Sequence, residues 1–272
     1  AATRPWANVD ARLADARQWS RPFGLLRPVD EIAVLARRYL HEHGGDREDL
    51  AEVALAFRHH AGANPAAMMH GRSLSLDDYL AARWVSEPLC LFDNCLESDG
   101  AAVVVVTTLD RARDLRRPPA VVHAFAQSLP RQHQTMTNYF AEDPLEGSSW
   151  ACARRLWGNA DVGPGDVDVA QLYDAFSPLV PLSLEGYGFC GRGEGLAFCA
   201  GGALRADTPG GLPVNTSGGS LSEAYLHGFN LIVEAVRQVR GESTNQVPGA
   251  EVSLATSGEG VPTSAVLFTA DR

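Results

Sequence analysis

Residues 214–230 read VNTSGGSLSEAYLHGFN. The glycines at 218 and 219 permit a tight turn and let backbone N–H groups approach a ligand closely. The amphipathic pattern that follows predicts a helix over "SLSEAYLHGFNLIVEAVRQVRG", residues 220–241. The start of such a helix offers its positive end to an anion or an enolate. Tyr225 then falls near that end, where its phenol pKa is expected below the ordinary value of about 10. A phenol so placed gives or takes a proton. The plainer alternative makes Tyr225 a core residue with a bonded hydroxyl. His227 falls on a different side of the same helix and reads as a packing histidine.

Upstream, "VAQLY" reads as a strand and "DAFSPLVPLSLEGYG" as a helix with Pro in its first turns. Tyr173 stands at the strand end, where α/β folds place reactive side chains, and Asp174 reads as the cap of the helix. Downstream, "AEVSLATSG" and "TSAVLFTA" form a closing pair of strands. The Gly-rich "TSGEGVPTS" (256–264) between them has no helix after it, so it is not a nucleotide loop. "GFCGRGEG" (188–195) has no strand leading in and no helix following, and a dinucleotide reading is set aside there too. With the helix "SSWACARRLWGNA", residues 147–272 read as a layered β/α structure. Residues 128–146 are polar and irregular, either a loop over a site or a seam between halves.

The first part of the chain is more helical. "VDEIAVLARRYLHE" (29–42) is a helix stopped by "HGG", a second follows Asp46, and "SLSLDDYLAARWV" is a third with a Ser cap. "DGAAVVVVTT" (99–108) reads as a buried strand, "LDRARDLRRPP" as a helix ended by prolines, and "AVVHAFA" as a strand.

Composition narrows the functional classes. The 272 residues are 45% apolar and 21% charged, with a net charge of −10 and no basic stripe, which argues against nucleic acid as a partner. The run "AAVVVV" is too short for a bilayer, and the N-terminus lacks the regions of a signal peptide, so no membrane and a cytoplasmic location are expected. The chain begins without Met, and the expectation is that it starts partway into a longer one. Its five cysteines (90, 95, 152, 190 and 199) form no CxxC pair and no cluster with zinc spacing, so free thiols and no metal site are expected. There is no lysine at all, which excludes a lysine imine on this chain.

The order "YDAF", "GFCGRGEG", "NTSGG…EAYLHG" and "SGEGVPT" resembles the C-terminal half of the thiolase superfamily. "PLCLFDNCLESDGAAVVVV" is similar to the end of its N-terminal half. The likeness runs from about residue 24 to the end. It lies in the lipid-transfer-protein, or sterol-carrier, branch, and within it with the actinobacterial aldolases of steroid side-chain degradation. The resemblance implies an α/β, thiolase-like layered αβαβα fold whose N-terminal half is incomplete here. Residues 1–118 would be the remainder of that half with a helical insertion, and 119–272 the C-terminal half. The nucleophilic cysteine of thiolases would lie before the region covered, and Cys90 and Cys95 would be structural.

The departures bear on the chemistry. Tyrosine replaces the Asn of the family's Asn-Glu-Ala-Phe motif (Tyr173-Asp174-Ala175-Phe176). It also replaces the catalytic His of Gly-His-Pro-x-Gly (Ala224-Tyr225-Leu226-His227-Gly228), and Thr256-Ser257-Gly258 stands where the acid/base cysteine would be. Two phenols in one thioester pocket suit retro-aldol cleavage of a tertiary β-hydroxyacyl-CoA of the steroid side-chain type, giving a ring ketone and propionyl-CoA. Tyr173 and Tyr225 would share the proton work, with the choice of base left open. Asn215, Gly218, Gly219 and Gly228 would shape the pocket, and Asp174 and His227 would tune or orient it. Coenzyme A would enter as part of the substrate, with no other cofactor. The resemblance also implies a homodimer and a partner, the OB-fold/zinc-ribbon domain of an enoyl-CoA hydratase. Two other readings stand beside it: a degradative 3-ketoacyl-CoA thiolase with its cysteine elsewhere, and a non-catalytic scaffold for a hydratase.

Overall fold

The computed structural model describes residues 17–129, 141–258 and 263–271. Its first portion is a helical unit. A short α1 (Arg17–Ser20) precedes α2 (Pro28–His43), α3 (Arg47–Ala63) and α4 (Leu76–Ala81). Capping residues fix the starts: Asp46 accepts from Glu48 N and Asp49 N, and Ser75 Oγ accepts from Asp78 N. α4 is shorter than its pattern suggests, because Trp84 turns outward into a hairpin of β1 (Trp84–Ser86) and β2 (Leu89–Cys90). Arg47 ties the two together. Its guanidinium donates to the carbonyls of Tyr79, Leu80 and Ala82 and lies 4.0 Å from the Trp84 ring centroid.

The second portion is a four-stranded sheet in the order β3 (Ala120–Ser128), β6 (Thr263–Ala270), β5 (Val252–Ser257) and β4 (Val169–Gln171). β4 runs parallel to β5 and β6 antiparallel to its neighbours, and Val214 bridges Ala170 at the far edge. Alternation along the strands gives each face its own core. α6 (Ser148–Asn159) and α7 (Leu179–Gly186) cover one, where Ala124, Ala126, Cys152, Leu156, Leu184, Leu254 and Leu267 are buried. α9 (Phe229–Arg240) covers the other, its Ala235 and Val239 packing with Ala255 and Phe268 of the sheet.

Three expectations are corrected here. Residues 99–108 form no strand, and Val103, Val105 and Val106 expose 82, 84 and 80% of their surface. A strand needs an edge to pair with, and no other strand among the described residues runs beside this one. The helix expected over 109–119 ends at Arg113 as α5 (Leu109–Arg113). A short α8 (Gly195–Cys199) does follow "GFCGRGEG", without a strand before it. The "SGEGVPT" motif falls partly, and the 128–146 segment largely, outside the described residues. All five cysteines are free.

The two portions are stitched together at the site. Buried Asp93 accepts from Tyr79 Oη and Cys90 N at 2.7 Å each, and its carbonyl accepts from Ser177 N. Cys95 N donates to Ala175 O and Leu96 N to Ser220 O.

Candidate active site

Tyr173 stands just past the end of β4, and three contacts place it. Its own N–H donates to Thr256 Oγ1 (3.1 Å) at the end of β5. The preceding residue, Leu172, is clasped by Asn215, whose Oδ1 accepts from Leu172 N (2.7 Å) and whose Nδ2 donates to Leu172 O (2.8 Å). Asn215 N donates in turn to Ala170 O. Asn215 therefore extends the strand ladder with its side chain. It is fully buried, at a φ of 51°, a conformation asparagine tolerates better than most residues. No local pattern marked Thr256 as a brace, since its partner lies 83 positions away.

The glycine turn departs from its expected form. Residues Gly219–Glu223 make a single wide turn with i→i+5 geometry, the chain then straightens at Ala224, and α9 begins only at Phe229. Tyr225, His227 and Gly228 thus lie on a non-helical link between two helical pieces. The cause is Asp174. Its buried carboxylate accepts from Ser220 N (2.9 Å) and Leu221 N (3.1 Å), so it caps this turn and not the helix that follows it in sequence. That helix, α7, starts five residues later, at Leu179. Burial pushes the Asp174 carboxyl up to about 6, against the pull of the two N–H bonds. Gly218 is required by space as well as by its φ of 111°, because a Cβ there would lie 2.6 Å from Ala61 Cβ.

The link brings two phenols together. Tyr225 N donates to Ser98 Oγ (2.8 Å), and the Tyr173 and Tyr225 hydroxyls are 2.6 Å apart. Tyr225 Oη is also 3.2 Å from His227 Nδ1, with ring centroids 4.6 Å apart. His227 is therefore a partner of Tyr225, and not the packing residue of another helix face. Its left-handed φ of 52° and that of Gly228 (87°) fold the link back so that the rings meet. Gly228 borders the Tyr173 ring.

The electrostatics also differ from expectation. Burial raises the Tyr225 phenol above its ordinary value, offset by the hydrogen bond from Tyr173. Burial and the bond to Tyr225 raise Tyr173 further. A helix N-terminus cannot lower Tyr225, because the helix starts four residues later. Both hydroxyls are consequently protonated at neutral pH. Cys95 packs beside them, its thiol pushed up to about 12 by burial and then by the charge of Asp174.

Two hollows border residues that flank or bond this region. On the His227 side a broad cleft is bordered by Phe125, Gln127, Phe229, Thr256 and Ser264. On the other side a cavity of about 640 Å³ is lined by Leu55, Arg58, Gly62, Arg72, Leu74 and Gly202, among others. Arg58 is buried there and donates Nε–H to Ser222 Oγ (3.1 Å) of the glycine turn. Among the described residues no carboxylate lies within ion-pair distance of Arg58 or Arg72. Nor is any group of three or more His, Cys, Asp or Glu side chains placed there to hold a metal ion. No helix of these residues is long and apolar enough to cross a membrane.

Comparison with known proteins gives these features a context. Residues 131–269 match the family described as thiolase C-terminal domain-like. The chain is 43% identical over 268 residues to a 17-hydroxy-3-oxo-4-pregnene-20-carboxyl-CoA lyase of Mycobacterium tuberculosis, covering 98% of this chain and 68% of that one. It is 44% identical over 261 residues to a steroid side-chain-cleaving aldolase of Thermomonospora curvata, covering 94% and 66% respectively. It thus spans about two thirds of the length of these relatives. Among solved structures it superposes on the Ltp2-ChsH2(DUF35) aldolase with a TM-score of 0.91 at 43% identity, over 96% of this chain and 70% of that one.

Proposed function

The chain belongs to the thiolase superfamily, with steroid side-chain-cleaving aldolases among its relatives, and we propose that it performs retro-aldol cleavage of a tertiary β-hydroxyacyl-CoA. The substrate class is a steroid whose shortened side chain is a CoA thioester, and the products are a ring ketone and propionyl-CoA. The observation that carries the reading is the 2.6 Å contact between the Tyr173 and Tyr225 hydroxyls. That pair stands at the positions where thiolases hold the polar groups of an oxyanion pocket.

The reaction needs a base for the β-hydroxyl proton and a donor for the enolate. Since burial keeps both phenols protonated, a free phenolate does not wait for substrate. Tyr225 instead takes the substrate proton as it passes its own to His227 Nδ1, 3.2 Å away. The C–C bond then breaks, the hydroxyl-bearing carbon becomes the ketone, and the electron pair moves onto the thioester as an enolate. Tyr173 remains neutral and donates to developing negative charge. The proton returns from His227 through Tyr225 to the enolate α-carbon. Nothing is oxidised and no co-reactant is consumed.

The remaining assignments follow this reading. CoA is the substrate's handle, and no other cofactor takes part. We propose that its phosphate groups lie in the cavity of Arg58 and Arg72, two cations that no carboxylate among the described residues pairs. Arg72→Ala is therefore expected to raise KM about tenfold, with kcat within about twofold, the pattern of a lost charge-assisted contact. The working protein is a cytoplasmic homodimer with the OB-fold/zinc-ribbon domain of a partner enoyl-CoA hydratase. The likeness to the Ltp2-ChsH2(DUF35) aldolase, a name that joins an aldolase to a DUF35 component, supports that partner.

The test incubates the full-length protein and its partner with a β-hydroxyacyl-CoA bearing a tertiary hydroxyl. Propionyl-CoA release without added free CoA is expected. Release that requires free CoA would replace this reading with a thiolase.

A further inference from the structure

One side chain grips both ends of the link that carries Tyr225. Glu223 closes the glycine turn, two residues before the phenol, and is buried. Its Oε2 accepts from Ser217 Oγ (2.6 Å), ahead of the turn, and from Asn230 Nδ2 (3.3 Å), in the first turn of α9. Residues 224–228 in between have no helix or strand of their own.

We propose that Glu223 is a positioning residue for Tyr225, its carboxylate holding Ser217 and Asn230 together so that the link presents the phenol to Tyr173 and His227. The proposal rests on the reading of Tyr225 as a working group in C–C cleavage.

The surroundings make this grip depend on charge. From α9, Glu234 opposes the Glu223 charge and Arg237 favours it, while Ser217 and Asn230 bond the ionised form. From α3, Arg58 bonds the neighbouring Ser222, and the link itself carries Tyr225 and His227. Burial outweighs these and pushes Glu223 up to about 7. An acid raised in this way adds stability that is full below its ordinary value of about 4.3 and lost as pH rises through 7. The ionised form, which costs the fold stability, is the form with the stronger grip.

Glu223→Gln separates these effects, because glutamine keeps the size and an acceptor for Ser217 but carries no charge at any pH. Charge-assisted hydrogen bonds are about twice as strong as neutral ones, so kcat at pH 8 is expected to fall about five- to tenfold with KM unchanged. The native-to-variant ratio of kcat should fall toward one as pH drops below 7, whatever limb the other groups of the site give to both proteins. The variant's melting temperature should exceed the native value at pH 8, with the difference shrinking as pH falls and closing only below about pH 4. Without substrate, hydrogen exchange at pH 8 should be about tenfold faster in the variant at the amides of Tyr225 and Phe229, which bond Ser98 Oγ and Leu226 O, a local opening that reports the link directly. Unchanged exchange overturns the proposal whatever the activity, and so does a native-to-variant kcat ratio that stays constant between pH 5 and pH 8. Absence of cleavage in the native protein sinks the lyase reading alone. The exchange measurement then still decides the role of Glu223, faster exchange supporting it.

Discussion

Tyr225→Phe is expected to cut the rate of C–C cleavage by about a hundredfold or more while changing KM by less than about threefold. The substitution removes one oxygen and keeps the ring that packs beside Cys95 and His227. With that oxygen goes the middle of the proton path, the atom 2.6 Å from Tyr173 Oη and 3.2 Å from His227 Nδ1. No other hydroxyl takes its place, and His227 loses its contact with the reacting group. Tyr173→Phe leaves the Tyr225–His227 contact intact and removes only a donor to developing charge. Its expected loss is about a hundred- to a thousandfold, the range for one oxyanion donor. Steady-state release of propionyl-CoA by both variants decides the matter, with unfolding curves as the control. Each variant should lose only about 1 kcal/mol of stability, the cost of one hydrogen bond. Rates within threefold of native in both would show that the tyrosines are packing residues.

Gly219→Ala should be the most damaging single-methyl change in the site region, lowering stability by about 3–5 kcal/mol. The new Cβ would lie 2.3 Å from Asp174 Oδ2 and 2.7 Å from Asn215 Nδ2, and neither atom has room to retreat. Asp174 is fully buried and holds two backbone N–H groups, and Asn215 clasps the strand end before Tyr173. Displacing either leaves buried polar groups without partners. Gly241, at the end of α9, is the comparison: its φ is 72°, but no atom lies within 4 Å of an added Cβ. Gly241→Ala should cost only about 1–2 kcal/mol, the backbone term alone. Denaturant unfolding of both variants checks this. Equal losses at the two positions would mean that Asp174 can move, and its hold on the turn would then be weaker than the geometry implies.

Much of this was legible in the sequence because it depends on near neighbours. Helices α2 and α3, the cap at Asp46, the final strand pair and the helix before "VGPGD" follow from side-chain period and capping chemistry, which act within a few residues. The tyrosines at 173 and 225 were visible through their place in the family's motifs. Residues 99–108 show the limit of such reading. Their β-branched, apolar character favours a strand, yet a strand also requires a neighbour, and local pattern cannot supply one.

The site divides along the same line. By itself the sequence determined the residue types: two phenols where a thiolase has Asn and His, a flexible glycine pair, and no lysine for an imine. It could not determine where the helix after the glycines begins. A carboxylate 46 residues upstream takes the N–H groups of Ser220 and Leu221, and Glu223 draws Ser217 toward Asn230. Those bonds outweigh the helical preference of residues 224–228 and turn Tyr225 toward Tyr173 and His227. The tertiary structure also reversed the expected phenol acidity, because a pKa follows burial and neighbouring charge, which are properties of the packed chain. Side-chain chemistry is local and could be read from the sequence, whereas the partners of buried polar groups are set only when distant segments pack.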